Sequence, residues 1–443
     1  MNLTTALRMG STPRVAIVGG GGKTTTLFTL AREYSVPVIV AATAQLAIAQ
    51  TALADRHVVV EDTLPLEWLR PGVTLFTGPT DDAGKTTGLS AAAMQRVREL
   101  ADRQHAPLFI EADGSKGLPL KAPADHEPPI PGCVDTVIGI AGLSGLGQPL
   151  DNEHVHRADR FAGLAGLSIG AAITPDAIAR VLLEPRGGLQ NMPPQARRIA
   201  LLNQADTPEL QAQAQVIARQ LVPTYHAVVI AALKNRQIFA TYEPTAGIIL
   251  AAGASTRMTQ PKPLLLWHGE PFVRHAARTA LGAGLSPVVI VAGAHTPEIR
   301  AVVADLPVTV IHNPAWEAGQ STSIKCGLRA LPDTIGSAVF LLADQPQIPI
   351  ELVKALQDQH TQALNPIVAP LIDDRRGNPV LFDRVTFADL LALTGDVGGR
   401  AVFARHPIAY VPWHVATALW DVDTPEDYQR LQALSKPDSI AED

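Results

Sequence analysis

The chain is poor in cysteine. It has two, Cys133 and Cys326, far apart and outside any C-x-x-C spacing, which argues against a disulfide framework or a thiolate zinc site. It also lacks a basic excess: 36 Lys+Arg against 42 Asp+Glu leave a net charge of −6. A nucleic-acid partner wants a basic face, so none is expected, although a small anion held by a few local cations remains open. Long apolar runs are missing too. The longest weakly polar stretch, "FAGLAGLSIGAAIT", is shorter than the ~20 residues a membrane span needs, and no signal-like segment precedes the first glycine loop. No membrane partner and a cytoplasmic location are the expectations.

What is there is a globular composition, 47% hydrophobic and 18% charged over 443 residues, long enough for two to three domains of ~100–200 residues each. Apolar runs alternate with helical patterns. "RVAIV", "VPVIVAA", "PLFIEAD", "TVIGIAG", "RIALLNQ" and "HAVVIAAL" read as buried strands in the first half. "GIILAAG", "PVVIVAG", "VTVIHN", "AVFLLAD" and "PIVAPL" repeat the rhythm in the second. Such alternation means parallel sheets with helices on both faces. The polar stretch "KNRQIFATYEP", residues 234–244, is taken as the boundary. This gives an N-terminal domain over 1–240, a C-terminal domain over 246–435 and a flexible tail over 436–443.

Each half opens on a glycine-bearing loop, but the two loops differ. In "IVGGGGKTTT" a strand runs into Gly20, Gly21, Gly22, Lys23, Thr24 and Thr25. Glycines turn backbone N–H groups onto a phosphate, the lysine adds a point charge and the hydroxyl serves Mg²⁺, all at a helix N-terminus. The pattern G-x-x-x-x-G-K-[ST] needs glycine at position 17, which is Ile17, so this is a variant phosphate loop. "PLFIEADGSKG" ends a strand in Glu111 and Asp113, the expected Mg²⁺-side carboxylates. "RIALLNQAD" supplies Asn203 and Asp206, similar to the N-K-x-D element that reads guanine. His154 and His156 in "HVHR" share a face only in an extended segment, and metal ligation and ordinary polar contacts both stay open for them.

Most of residues 14–235 resembles the YqeC-type accessory proteins of selenium-dependent molybdenum hydroxylases. "GGGGKTTT", "IEADGSKGLPLKAPADHEPPIP" and "EHVHRADRFAGL" carry the likeness. It implies a P-loop-like parallel sheet, a GTP- or ATP-linked maturation step, and an apo molybdenum hydroxylase as partner.

The second loop, "LAAGASTRMTQPKPLL", has no G-K-[ST]. The small residues that follow Leu250 (Ala251, Ala252, Gly253) let a base and ribose lie against the backbone. Arg257 and Lys262 bring two cations to one loop, as attack on an α-phosphorus requires. Asp344 in "LLADQPQI" ends a strand at the sheet's carboxyl edge, where a Mg²⁺ ligand belongs. "LWDVDTPEDY" offers Asp421 and Asp423 as its partner, and Asp423 is preferred because it abuts the Thr-Pro helix start. "GQSTS" adds Ser321 and Ser323.

Residues 246–435 resemble the nucleotidyltransferases of molybdenum-cofactor maturation, within them the MocA-type cytidylyltransferases, through L-A-A-G-x-S-x-R-M, D-x-P, "GQSTS", "RRGNPVLF" and "GDVGGR". The resemblance implies a Rossmann-like three-layer αβα fold and Mg²⁺. Because guanylyl-transferring relatives have L-A-G-G where Ala252 stands, it implies CTP as substrate. Arg257, Lys262 and Asp344 would be catalytic, with Asp423 completing the metal site. Ser321, Ser323, Asn378 and Arg400 would hold the molybdopterin acceptor. Two other readings remain: transfer to a sugar phosphate or other small phosphate, and a nucleotide-switched cofactor carrier.

Overall fold

Runs of Val, Ile and Leu become strands in both halves, because β-branched and aliphatic side chains pack well on a pleated surface covered from both sides. The computed structural model describes residues 1–61, 68–82, 84–253, 258 and 260–434. They divide into two units, Met1–Tyr242 and Glu243–Asp443.

Nine strands form the main sheet of the first unit. Their order is Gln237–Tyr242, Ala227–Ala232, Arg197–Asn203, Thr136–Gly142, Arg14–Gly19, Leu108–Glu111, Val38–Ala42, Val73–Thr77, Arg56–Val59. All neighbours pair in parallel except the first two. Alternate side chains of Arg14–Gly19 go to opposite cores. Val15 and Ile17 join Leu27 and Leu30, while Ala16 and Val18 join Val97 and Ile110. The chain leaves this central strand in one direction and later fills the sheet on its other side, so a crevice opens at its carboxyl end. The glycine loop sits there. Within the stretch taken as the boundary, Gln237–Tyr242 is an antiparallel edge strand on Ala227–Ala232. Its polar residues fit because an edge strand needs only one buried face.

In the second unit the order is Thr309–His312, Val288–Ala292, Thr245–Ala251, Ser337–Leu342, Val380–Asp383, Ile367–Ile372, Arg375–Arg376, with Ile408–Pro412 also pairing Ile367–Ile372. The first four strands are parallel; Val380–Asp383 is antiparallel to Ser337–Leu342. One face carries Ile249, Ala251, Val339 and Leu341 against Leu352. The other carries Ile248 and Phe340 against Ile324 and Leu328. Both units are thus α/β, with parallel-dominated sheets. Thr245–Ala251 and Ser337–Leu342 lie side by side, so Leu250–Gly253 and Ala343–Asp344 emerge at one edge.

The two loops differ in their backbone demands. Gly19 has φ +98°, and a Cβ there would lie 2.2 Å from the Ile140 carbonyl oxygen. Gly253 has open space around it. Gly19→Ala should therefore destabilise by about 1–3 kcal/mol or more through forced φ and steric overlap, and Gly253→Ala by less than about 1 kcal/mol. Thermal or urea unfolding of the two variants checks the contrast.

Candidate active site

In the second unit a cleft of about 570 Å³ is lined by Leu250, Ala251, Ala252, Gly253, Lys262, Trp316–Gln320, Ser323, Asp344 and Asp396 among others. Lys262 opens a short helical turn, Lys262–Leu264. Its ammonium lies 3.6 Å from Asp344 and also pairs with Asp423. Asp423 precedes the helix Pro425–Gln432, whose start is fixed by a capping box between Thr424 and Asp427. Asp421 accepts a hydrogen bond from Gln345 Nε2 at 2.6 Å. Burial pushes the Asp344 carboxyl up; the Lys262 charge opposes this, and Asp421 and Asp423 add to it. Asp421 is raised by burial as well.

Whether Mg²⁺ suits the site is decided by the chemistry of the residues themselves. The donors are all hard oxygens: Asp344, Asp421, Asp423 and the buried Gln345 Oε1, which has no hydrogen-bond partner. That set fits a hard divalent cation, which takes one or two carboxylates and completes its shell with phosphate and water. Among the described residues no group of three or more His, Cys, Asp or Glu is placed to hold a metal ion, so Asp344, Asp421 and Asp423 do not form a three-carboxylate site.

Beyond Asp421 lies a second pocket of about 310 Å³, lined by Phe340, Phe382, Phe403, Asn378, Arg400 and Asp421 among others, and sharing Leu250, Gln320 and Leu342 with the first. Phe340 and Phe382 pack edge to face, 5.5 Å between ring centroids. The Arg376 guanidinium sits 5.4 Å from the Phe403 ring. Ser323 lines the first cleft, its hydroxyl accepting from Asn313 Nδ2 at 3.0 Å. Ser321 is placed otherwise than expected. It is 1% exposed and donates to the Gly395 carbonyl at 2.6 Å, so it ties the helix Gln320–Arg329 to the Gly395–Asp396 loop. Arg257 lies outside the described residues. Trp316, Phe340 and Phe403 carry no distinct sequence signal, whereas Asp396 and Phe382 fall inside "GDVGGR" and "RRGNPVLF".

In the first unit the helix Lys23–Arg32 begins at Gly22 (φ +122°) without a side-chain cap. Helices starting at Ser90, Thr174 and Thr207 carry such caps. Lys23, 5% exposed, donates to the Gly19 carbonyl at 2.7 Å and lies 3.4 Å from Asp113. Asp113 also faces Lys121 at 2.7 Å, Lys121 faces Glu127 at 2.7 Å, and Glu127 grips Arg157 through both oxygens at 2.8 Å. Burial alone would raise Glu127, but its bonds to Arg157 and Lys121 outweigh burial and hold it at about 2.

Within this network the two expected metal-side carboxylates, Glu111 and Asp113, make different contacts. Asp113 is engaged by two lysines and by the Gly19 N–H at 3.1 Å. Glu111, raised by burial, instead accepts from the Thr24 hydroxyl at 3.1 Å. Asn203, 4% exposed, donates through its amide to Gly21 O at 2.7 Å and accepts from Leu233 N–H at 3.1 Å, so it braces the loop. Asp206 is exposed and accepts from Asn235 at 3.3 Å. His154 turns to Asp151 at 2.8 Å, and burial, then Arg157, Lys121 and Lys116, lowers His156.

Comparison with known proteins follows this division. The YqeC protein family matches residues 15–159 and the MobA-like NTP transferase domain residues 247–409. The uncharacterized protein YqeC of Escherichia coli is 31% identical over 43% of this chain and 75% of its own length. The chain is a YqeC-family domain fused to a MobA-like NTP transferase domain. Over the second half, a protein of Paenarthrobacter nicotinovorans named nicotine blue oxidoreductase is 31% identical, spanning 42% of this chain and 95% of that one. The molybdenum cofactor cytidylyltransferase of Escherichia coli is 26% identical over 41% of this chain and 92% of its own. The fusion is thus an enzyme of the nucleotidyltransferase class. No described helix is long and apolar enough to cross a membrane.

Replacing the cleft cation, Lys262→Ala, should lower nucleotidyl transfer by roughly 100–1,000-fold, the loss typical of one preorganised charge-stabilising group; steady-state pyrophosphate release measures it. A second expectation concerns pH. Because burial raises Asp344, the folded chain holds that proton more tightly than the unfolded chain, whose aspartates titrate near 3.9. The stability this group contributes is full below about pH 3.9 and is lost as pH rises through the folded value. Asp344→Asn should therefore raise the melting temperature more at pH 8 than at pH 5, in parallel thermal scans.

Proposed function

We propose that the second half transfers CMP from CTP to the terminal phosphate of a molybdenum-bearing pterin, releasing pyrophosphate, and that the first half supplies a nucleotide-dependent accessory step in molybdenum hydroxylase maturation. One observation carries the reading: Lys262, flanked by Asp344 and Asp423, lies in a nucleotide-sized cleft that shares Leu250, Gln320 and Leu342 with an aromatic pocket. Ala251–Gly253 offers a flat backbone to the ribose and base. A phosphate oxygen of the acceptor attacks the α-phosphorus of CTP; that O–P bond forms as the bond to the β-phosphate bridge breaks, in line. Lys262 neutralises charge on the triphosphate oxygens, and Arg257 is proposed to assist. Asp344 and Asp423, with Asp421 beside them, would hold Mg²⁺, which supplies further neutralisation of those oxygens. Phe340, Phe382 and Phe403 give the acceptor pocket an aromatic wall that suits a flat ring system. Asn378 and Arg400 supply polar contacts to the acceptor, and Ser323 stands at the nucleotide side.

The relative named nicotine blue oxidoreductase favours a second reading, in which the same two pockets serve redox chemistry on a flat heteroaromatic ring. Pyrophosphate release from CTP, GTP and ATP with Mg²⁺, tested against molybdopterin and a panel of sugar phosphates, separates these readings. Oxidation of reduced nicotinamide dinucleotides is followed in parallel. The expected result is turnover with CTP and the pterin. Turnover of a sugar phosphate alone, or dinucleotide oxidation without pyrophosphate, would overturn it. In the same preparations Lys23→Ala should leave CMP transfer intact while abolishing cofactor delivery to an apo-hydroxylase.

A further inference from the structure

We infer that the groove along the helix Lys23–Arg32 is a nucleoside site, holding the ribose and base of a nucleoside triphosphate whose phosphates lie on the glycine loop. The inference rests on the phosphate-loop reading of the first half and adds where the rest of the ligand goes.

Two cavities touch the loop or the start of its helix. The one at Gly19 has a volume of only about 40 Å³ and is walled by Phe161, Ile178 and Leu182. A nucleobase does not fit there. The other runs past Thr24, Thr25 and Phe28, between Gln50 on one side and Lys234 and Arg236 on the other, with a volume of about 1030 Å³. That is ample for a nucleotide-sized ligand.

Both walls are fastened to the phosphate loop itself. Gln50 donates to the Thr24 hydroxyl at 3.0 Å, and Thr24 donates to Glu111 at 3.1 Å. On the opposite side Asn203 links Gly21 O, at 2.7 Å, to the N–H of Leu233, at 3.1 Å. Leu233 begins the turn that presents Lys234 and ends at Arg236 (φ +55°). Asp206, accepting from Asn235 at 3.3 Å, secures the same turn from the neighbouring strand end. Loop and walls thus form one hydrogen-bonded frame, and Asn203 acts on the base indirectly, by positioning this turn. Lys234 and Arg236 are exposed. Their apolar stems offer packing surface to a base, and the guanidinium can either stack on its face or direct its N–H groups to base oxygens or ring nitrogens.

The test uses the full chain carrying Lys262→Ala, to weaken nucleotide binding in the second half. GTP, ATP and inorganic tripolyphosphate, each with Mg²⁺, are titrated calorimetrically against this protein, against it with Lys234→Ala and Arg236→Ala added, and against it with Lys23→Ala added. Both turn residues are exposed, and thermal unfolding verifies that the fold survives. The expected result is at least about a tenfold loss of nucleoside triphosphate affinity, 1.4 kcal/mol, with tripolyphosphate binding unchanged in the turn variant, while Lys23→Ala weakens both probes. If the turn variant loses tripolyphosphate equally, or loses nothing, the nucleoside site is wrong while the phosphate loop stands. If Lys23→Ala changes neither probe, or neither binds the parent, the phosphate-loop reading itself falls.

Discussion

The catalytic half depends on a lysine held between carboxylates from separate parts of the chain. Lys262 comes from the loop after the first strand, Asp344 from the end of a neighbouring parallel strand, and Asp423 from the turn before the C-terminal helix Pro425–Gln432. Carboxylates at a half-buried cleft floor are costly unless paired. In the proposed reaction the pairing cation is also the group that meets phosphate oxygens. Charge that offsets burial in the fold is thereby already in place for the transferring group, which is the sense in which such sites are preorganised.

The first half solves a related problem with a longer chain of charges. Lys23, Asp113, Lys121, Glu127 and Arg157 alternate in sign from the glycine loop to the start of the helix Ala158–Ala165. Asp113, Lys121 and Glu127 each have a charged partner on either side, so the network ties the loop over 114–131 to the glycine loop. The two loops at the openings of the two halves are therefore built differently. One is an uncapped helix start with three glycines at positive φ. The other is a flat strand end whose cation arrives from a proline-bounded turn.

Both assignments follow from parallel strands. A parallel sheet buried on both faces sends its functional side chains out at the carboxyl ends, whatever their order in the sequence. That is why residues as distant as Gly21 and Asn203, or Lys262 and Asp423, meet.

The α/β class, the two glycine-bearing loops and Lys262 with Asp344 were legible from the residues, because hydrophobic period, glycine and strand-end acids are local signals. The YqeC and MobA-like families were legible for the same reason, as their recurring stretches are short and contiguous. The roles of Asn203, Asp113 and Ser321 were not. Each is a polar group whose partner lies far along the chain, and only the packed sheet shows that Asn203 braces Gly21, that Asp113 faces two lysines and that Ser321 holds Gly395. Trp316 and the phenylalanine-lined pocket were equally invisible, since a buried aromatic and a site-lining aromatic look alike until the cavity exists. Local chemistry named the candidates; three-dimensional pairing, which sets what each polar group is left free to bind, assigned their work.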